Sequence, residues 1–325
     1  MKSFKTNKLP CSPPAGGTRY SANRNKTLIL KSLHINESDF LGKGVESYVY
    51  VYGKNKVVRI LKNGDLVYIK SLKELQELIS TSGLLVETPL IIKIQELGGI
   101  IYTVERRLKG INLSKIFDTY NDEQKKKVIL EYLDLLKELT KVDVNKFEFG
   151  QITNSKDKVS DSSWQGFLKK KTKQKVNMVK IQLGQDVLDL DFKLDVFFKL
   201  IDAKLENIEK NLVHGDYFYD NVMANKDAKI TGILDFSGWM SVVGDFRLDV
   251  SGAIIFLEHS EKFVKYQKIL TEAAKIEYGD DIESFIDFYK IYYSLYLSDS
   301  CLYLKPLYNW CVKNLNDKEL WARVM

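Results

Sequence analysis

The chain has 325 residues, enough for about two structural units, and its 45% apolar and 28% charged content is typical of a folded globular protein. No apolar run approaches the ~20 residues of a membrane helix, and the three cysteines (Cys11, Cys301 and Cys311) lack the spacing of a disulfide framework, a zinc site or an iron–sulfur cluster. No apolar segment follows the basic N-terminus, so we expect no secretory signal and a reducing, cytoplasmic setting.

Charge is unevenly distributed along the chain, whose net charge is +6. Residues 1–26 contain six basic residues, no acidic residue and several prolines and glycines, which predicts a flexible basic tail. A basic tail can bind nucleic acid, but a solvated leader is the interpretation that we favour. Residues 181–325 hold 16 Lys and Arg against 24 Asp and Glu, a balance of −8.

Residues 27–107 have the pattern of a small N-terminal lobe that mixes strands and one helix. Val and Tyr alternate up to Tyr52, and an apolar run resumes after a Gly-Lys-Asn turn, which indicates an antiparallel hairpin. Leucines at helical spacing follow, and a Gly-Gly pair separates two more apolar runs. The predicted elements are strands at 40–52 and 56–62, a helix at 65–80, and strands at 90–94 and 100–104.

Residues 108–325 are mainly helical in pattern and are predicted to form a larger C-terminal lobe. Apolar residues from Val128 to Leu139 lie on one stripe of a predicted helix, with Lys and Glu on the other side. The predicted elements are a helix at 122–142, a loop at 143–163, two or three helices within 164–210, a polar loop in an apolar frame at 212–225, a strand at 229–235 and helices beyond 250.

Asp216, Asn221 and Asp235 form the motif that carries chemistry. Asn221 lies five residues after Asp216, and Asp235 lies fourteen residues after Asn221 in an apolar frame. Phosphoryl transfer needs a carboxylate to accept the proton of the attacking hydroxyl. It also needs oxygen ligands to hold Mg²⁺ against the phosphates, and amides and carboxylates supply them. The spacing favours a kinase-type site over the alternative, a polar loop with two structural aspartates.

Three segments resemble the aminoglycoside phosphotransferase family, which has the protein-kinase-like fold. Residues 212–223 resemble its catalytic loop, with His-Gly-Asp where protein kinases carry His-Arg-Asp. Residues 233–237 resemble its metal-binding segment, and residues 243–249 are similar to its Gly-Asp-x-x-x-Asp element. The resemblance runs from about residue 40 to 255, loosely over 143–210, and is greatest to hygromycin-type phosphotransferases.

The resemblance implies a two-lobed α+β fold and a role for each residue of the motif. Asp216 would be the catalytic base, and Asn221 and Asp235 would bind Mg²⁺. His214 would be a structural residue of the loop. The implied lobes are residues 27–107, which bind the nucleotide, and residues 108–325, which carry the catalytic and acceptor-binding groups.

The nucleotide side of the predicted site begins with Gly42 and Gly44. Their position before the hairpin resembles a kinase glycine-rich loop, in which the missing Cβ lets backbone amides approach phosphate oxygens. An ordinary hairpin turn is the alternative for this pair taken alone. The segment between the lobes resembles the family hinge, and its backbone near Arg107 and Leu108 would meet the nucleotide base.

Arg59 stands where the fold usually has the phosphate-binding lysine of its third strand. An arginine pairs with phosphate as a planar fork, whereas a lysine acts as a point charge. The resemblance implies that a glutamate of the following helix holds this cation. Glu74 is the residue that we favour, with Glu77 as the alternative.

Together these features predict a small-molecule kinase. The resemblance implies transfer of the γ-phosphoryl group of ATP or GTP to a hydroxyl of an aminoglycoside-type antibiotic, with Mg²⁺ as cofactor, and the acidic second half suits a cationic acceptor. One alternative is a kinase of the same fold that acts on choline, homoserine, a sugar or a protein. Another is a non-catalytic protein, either a pseudokinase or a nucleic-acid binder. The complete set of Asp216, Asn221 and Asp235 argues against a pseudokinase.

Overall fold

The computed structural model describes residues 19–44, 47–62, 64–237 and 240–325. The first helix, α1, covers Arg19–Ser32. The predicted flexible tail, 1–26, therefore divides at residue 19: residues 1–18 lie outside the described residues, whereas the prediction is wrong for the remainder, which begins a helix. The reason lies just beyond the predicted boundary, where the apolar residues Ile29 and Leu30 are buried and give α1 a face to pack.

The N-terminal lobe is a five-stranded antiparallel sheet with the strand order β1-β2-β3-β5-β4. Its elements are β1 (Phe40–Lys43), β2 (Ser47–Val51), β3 (Lys56–Leu61), α2 (Leu66–Thr81), β4 (Ile91–Leu97) and β5 (Ile100–Arg106). The structure has the predicted hairpin, helix and strand pair in the predicted order.

Two helices cover the two faces of this sheet, and the period of two along a strand decides which residue faces which helix. Val58 and Ile60 of β3 join the α1 residues Ile29 and Leu30 in one apolar cluster. Leu61 joins a separate cluster with α2 residues. Strand β3 therefore carries apolar residues on both faces, with Arg59 as the polar exception on the α2 side, because both faces are covered.

The C-terminal lobe is mainly helical, with two small sheets at its junction with the first lobe. The sheets have the orders β11-β10-β6 and β8-β7-β12-β9. Its strands are β6 (Ile111–Asn112), β7 (Phe149–Gln151), β8 (Ser160–Asp161), β9 (Asn211–Val213), β10 (Val222–Ala224), β11 (Ile230–Ile233) and β12 (Val242–Gly244). Its helices are α3 (Leu113–Ile116), α4 (Asp122–Asp134), α5 (Leu136–Leu139), α6 (Trp164–Met178), α7 (Lys180–Asp186), α8 (Leu190–Lys204), α9 (Arg247–Ile255), α10 (Gln267–Tyr278), α11 (Ile282–Tyr296), α12 (Lys305–Asn316) and α13 (Lys318–Val324). The loop predicted at 143–163 contains β7 and β8, strands too short to show a periodicity.

The chain between β5 and β6 connects the lobes, and Glu87 is one of the residues through which the first lobe bonds to the second. Glu87 pairs with Gly232 of β11, and its backbone exchanges hydrogen bonds with Thr231 and Ile233, each at 3.0 Å. Glu87 therefore extends the small sheet of the second lobe from the first. Among the described helices, none is long and apolar enough to cross a membrane.

Replacing Ile29 by Ala should destabilise the protein by about 2–4 kcal/mol, because Ile29 is fully buried beneath the sheet and the smaller side chain leaves a cavity. Leu28→Ala is the matched control, since Leu28 is its neighbour on the same helix and 45% exposed. Urea unfolding measures both. Equal losses in the two variants would show that α1 does not pack on the sheet.

Candidate active site

Asp249 fixes the backbone at the start of the catalytic loop through hydrogen bonds. Its buried carboxylate accepts the backbone N–H of His214 at 2.6 Å and that of Gly215 at 2.8 Å. On the other side, the carbonyl of His214 accepts the Ser241 hydroxyl at 3.2 Å. Buried backbone groups need such partners, and here the partners fix the direction in which the following residue, Asp216, leaves the core.

Gly215 is a position that other residues would fit poorly. Its φ is +76°, a left-handed conformation that glycine adopts without strain. A Cβ there would lie 2.0 Å from the carbonyl oxygen of Met240. The loop therefore needs glycine for its conformation and for the close approach of the backbone at Met240.

His214 is held as the neutral Nε2–H tautomer. Its Nδ1 accepts the backbone N–H of Asp216 at 3.2 Å, so its Nε2, 2.7 Å from the carbonyl of Leu234, must be the donor there. The ring is fully buried, and burial lowers the pKa of His214 to about 4. His214 thus orients the catalytic loop, in keeping with the structural role that the resemblance implies for it.

A second buried network holds the start of α9, and with it Asp249. Asp245 accepts the Arg247 Nε–H at 2.9 Å and the Tyr289 hydroxyl at 2.6 Å. The guanidinium of Arg247 also lies 3.6 Å from the ring centroid of Phe285. Burial raises the pKa of Asp249 to about 7, against the lowering effect of its two backbone N–H bonds.

Asn221 connects the predicted base with the predicted metal segment. Its side-chain Nδ2–H₂ donates to the Asp216 carbonyl at 2.8 Å and to Asp216 Oδ2 at 3.0 Å. Its backbone carbonyl accepts the Leu234 N–H at 2.7 Å, and the next residue, Val222, pairs with Ile233 in the β10–β11 ladder. The structure therefore brings Asp216, Asn221 and the segment that ends in Asp235 together.

Asp235 follows Leu234, whose peptide carbonyl is held by His214 and whose N–H is held by Asn221. Its φ is +59°, which is uncommon for a residue other than glycine and is best tolerated by Asp and Asn. Backbone strain of this kind clusters at functional sites. Asp235 is half-buried, so it remains partly accessible from solvent.

The residues present fit a magnesium ion. Asn221 uses its amide nitrogen on Asp216, which turns its oxygen Oδ1 away as a ligand for a hard cation. The part of the chain that the structure describes holds no group of three or more His, Cys, Asp or Glu suited to a metal. Asn221 and Asp235 would therefore be two protein ligands, the rest coming from phosphate and water, as is usual for Mg²⁺.

The glycines predicted to bind phosphate lie at the end of β1. Gly42 pairs with Val49 of β2. The Gly44 N–H donates to the Ser47 carbonyl at 2.9 Å, and the Gly44 carbonyl accepts Lys62 Nζ at 2.7 Å. The two residues between Gly44 and Ser47 lie outside the described residues. The described bonds bring a lysine to the base of the turn.

The structure corrects the predicted partner of Arg59. Arg59 Nε donates to Glu105 of β5 at 2.9 Å, and Glu105 is buried. Glu74 is instead exposed, on the outer stripe of α2 with Lys70, Glu77 and Thr81. This stripe repeats every three or four residues and faces away from the sheet. The alternative partner, Glu77, bonds with Lys73 on the same helix.

Arg107 and Leu108 lie in the connection between the lobes, as predicted. The Arg107 N–H is already bonded to the carbonyl of Asn55 at 3.0 Å, so that amide is not a donor to a nucleotide base. Leu108 packs on Gly232, where a Cβ would lie 2.8 Å from Leu108 Cδ2. A base contact at the connection would use the carbonyl of Arg107 or the backbone of Leu108.

The acidic residues that suggested a cationic acceptor are partly neutralised within the protein. Asp191 pairs with Lys180 at 3.2 Å, and Glu277 pairs with Lys137 at 2.8 Å. Asp186 accepts the hydroxyl of Tyr308 at 2.7 Å. These three side chains are therefore engaged with other residues of the protein.

Residues 39–275 match the phosphotransferase enzyme family. The chain belongs to this family. It is a phosphotransferase of the kind that acts on hydroxyl groups, and the predicted resemblance to aminoglycoside phosphotransferases is confirmed. No curated protein sequence matches the chain.

Solved structures share the fold at low sequence identity. A thermostable mutant of aminoglycoside phosphotransferase APH(4)-Ia, in a ternary complex with AMP-PNP and hygromycin B, is 18% identical, with a TM-score of 0.65 over 92% of this chain and 98% of its own. The GDP complex of aminoglycoside 2'-phosphotransferase-IIIa is 16% identical, with a TM-score of 0.62 over 94% and 99%. The GDP and kanamycin complex of APH(2")-IIIa is 18% identical, with a TM-score of 0.60 over 93% and 99%. The predicted two-lobed kinase-like fold is confirmed.

The sequence analysis did not assign a role in this site to two buried carboxylates, those of Asp249 and Glu105. Asp249 was visible as the last residue of the Gly-Asp-x-x-x-Asp element, but the sequence did not show that it binds the loop backbone. Glu105 was visible only as an acid that ends a run of apolar residues and one threonine. Both act across the fold, at separations of 35 and 46 residues.

Acid should destabilise the phosphotransferase through His214. The unfolded chain takes up a proton at this residue below about pH 6.5, whereas the folded ring stays neutral down to about pH 4, so acidification favours unfolding. Between pH 7 and pH 5 the wild type should lose about 2 kcal/mol more stability than His214→Gln. Denaturant unfolding of both proteins at both pH values gives the loss of stability in each. The contributions of the other titrating groups cancel when the two losses are subtracted. The same loss in both proteins would contradict this.

Proposed function

We propose that this phosphotransferase is a Mg²⁺-dependent kinase that transfers the γ-phosphoryl group of ATP or GTP to a hydroxyl of an aminoglycoside-type antibiotic. The observation that carries the proposal is the arrangement of Asp216, Asn221 and Asp235 on two loops that share hydrogen bonds at Leu234. A base next to two oxygen ligands is what phosphoryl transfer to a hydroxyl requires.

The carboxylate of Asp216 accepts the proton of the acceptor hydroxyl, and Asn221 holds that carboxylate in place through Oδ2. The hydroxyl oxygen forms a bond to the γ-phosphorus while the bond from this phosphorus to the β,γ-bridging oxygen breaks, which leaves the nucleoside diphosphate. Arg59 and the backbone of the Gly42–Gly44 turn position the phosphates. Mg²⁺, when bound by Asn221 and Asp235, supplies the counter-charge that the phosphates need.

The substrate class is supported by similarity and by charge. Structures of the same fold hold hygromycin B with AMP-PNP and kanamycin with GDP. A cationic aminoglycoside also suits the −8 balance of residues 181–325. The test is a kinase assay with ATP or GTP and Mg²⁺ against aminoglycosides, choline, homoserine and sugars. Turnover confined to a non-aminoglycoside acceptor would overturn the substrate class, and no turnover with any of them would overturn the activity.

Asp216→Asn should lower kcat by about 10²- to 10⁴-fold, because the amide cannot accept the hydroxyl proton. Nucleotide affinity should stay close to that of the wild type, since the residue faces the acceptor. Asp227→Asn is the matched control, because Asp227 is exposed in the β10–β11 turn. Steady-state kinetics and nucleotide titration give both quantities. A wild-type kcat in Asp216→Asn would remove this residue from the reaction.

Asp235→Asn should abolish most of the effect of Mg²⁺ on nucleotide affinity, because it removes the only negatively charged side chain of the two proposed protein ligands. Asparagine tolerates the left-handed backbone at this position, so the substitution removes charge with little change in conformation. Asp189→Asn makes the same change at another left-handed aspartate, φ +53°, which is exposed. Nucleotide is titrated with and without Mg²⁺. If Mg²⁺ strengthens binding equally in Asp235→Asn and the wild type, Asp235 is not the ligand.

A further inference from the structure

The pair formed by Arg59 and Glu105 lies on one face of the N-terminal sheet. Arg59 of β3 is directly opposite Thr103 of β5, and Glu105 is two residues further along β5, so all three side chains share a face. Arg59 Nε donates to both oxygens of Glu105, at 2.9 and 3.2 Å. The Thr103 hydroxyl donates to Glu105 Oε1 at 2.6 Å. The carboxylate is thus held by two side chains that the strand register places beside it.

The other end of the guanidinium points to the predicted phosphate loop. Arg59 Nη1 lies 3.3 Å from the hydroxyl of Ser47, the buried first residue of β2. Ser47 closes the turn that begins at Gly44. Arg59 is therefore fixed at its Nε side by Glu105 and reaches with Nη1 to the root of the glycine turn.

Burial is unequal within the pair. The side chain of Glu105 is 6% exposed and that of Arg59 is 31% exposed, so the acid lies inside and the cation faces outward. A buried ion pair is not needed for stability, because apolar residues of similar volume stabilise a core as well or better. Elsewhere on the same sheet face, Leu61 and Ile101 pack in an apolar cluster. A partly exposed cation that is anchored by a buried carboxylate is the arrangement expected at an anion-binding site.

We propose that Glu105 is the positioning residue of Arg59, in the place where the fold usually employs a helix glutamate, and that nucleotide-phosphate binding in this chain does not depend on a carboxylate of α2. The inference rests on the proposed function and deepens it. The anchor lies on a strand adjacent to β3 in the same sheet, so a movement of α2 leaves the Arg59–Glu105 pair intact.

The experiment titrates the full-length protein with the fluorescent nucleotides mant-ATP and mant-GTP in the presence of Mg²⁺. Glu105→Gln should weaken binding by about tenfold, because the guanidinium loses its charged anchor and its position. Glu74→Gln, the helix alternative, should change affinity by less than about twofold, as for an exposed charge. Glu96→Gln on β4 is the neutral control, being exposed and the same substitution.

A double-mutant cycle separates positioning from a general loss of structure. In an Arg59→Gln background, Glu105→Gln should cost no further affinity, because the two residues act as a unit. Thr103→Val keeps the volume and removes one hydrogen bond to Glu105, so it should produce a smaller loss in the same direction even if Glu105→Gln folds poorly.

The outcomes distinguish the two proposals. If the wild type binds neither nucleotide, the proposed function fails and the positioning role fails with it. If the wild type binds and Glu105→Gln behaves like Glu96→Gln, only the positioning role is overturned. Fully additive losses for Arg59 and Glu105, or a larger loss in Glu74→Gln than in Glu105→Gln, overturn it as well. A tenfold loss in Glu105→Gln that disappears in the Arg59→Gln background supports it.

Discussion

The carboxylate of Asp249 is the constraint on which the C-terminal half of the site depends. By accepting the N–H groups of His214 and Gly215, it joins helix α9 to the catalytic loop through two short bonds. The His214 ring then carries the constraint onward, since its two nitrogens bond to the N–H of Asp216 and to the carbonyl of Leu234. One buried acid therefore sets the position of the proposed base and, through Leu234, that of the metal segment. This explains why the site needs its supporting groups as much as its reacting ones.

Most of the fold was predictable because its elements are strongly periodic. Strand β3 and helix α2 stand where alternating and 3.6-residue patterns indicate them. The missed strands, β6 to β10 and β12, have two or three residues each, and β9 and β10 lie at the ends of the predicted loop 212–225. They owe their existence to pairing with one another and with β11. Helix α1 was missed for a similar reason, since its large aliphatic residues, Leu28, Ile29 and Leu30, lie only near its C-terminal end. Such elements depend on tertiary partners, which a local pattern does not contain.

The motif of the site was predictable, but the groups that hold it were not. Asp216, Asn221 and Asp235 are close enough in sequence for their spacing to indicate chemistry, and the structure brings their loops together. The partner of Arg59 depends instead on strand register and on the direction that α2 presents. The helical periodicity of α2 shows which residues share a side with Glu74, but it does not show which side faces the sheet. In the structure Glu74 lies on the exposed side. Glu105 meets Arg59 diagonally across two strands, and the residue types alone do not state that pairing.

The two halves of the site are thus built by separate means. Arg59 is positioned within the five-stranded sheet by Glu105 and Ser47, and Asp216 is positioned within the second lobe by Asn221 and the His214–Asp249 pair. Neither set of bonds crosses between the lobes. The lobes contact each other elsewhere, at Glu87, through the Asn154 N–H donated to the Ser71 hydroxyl, and through the α2 residues Leu75 and Ile79, which pack in the core of the second lobe. A change in the angle between the lobes would therefore alter the distance from Arg59, the proposed phosphate-binding cation, to Asp216, the proposed base, without breaking the bonds that position either residue. That separation suits a reaction in which one lobe binds the nucleotide donor and the other lobe binds the acceptor.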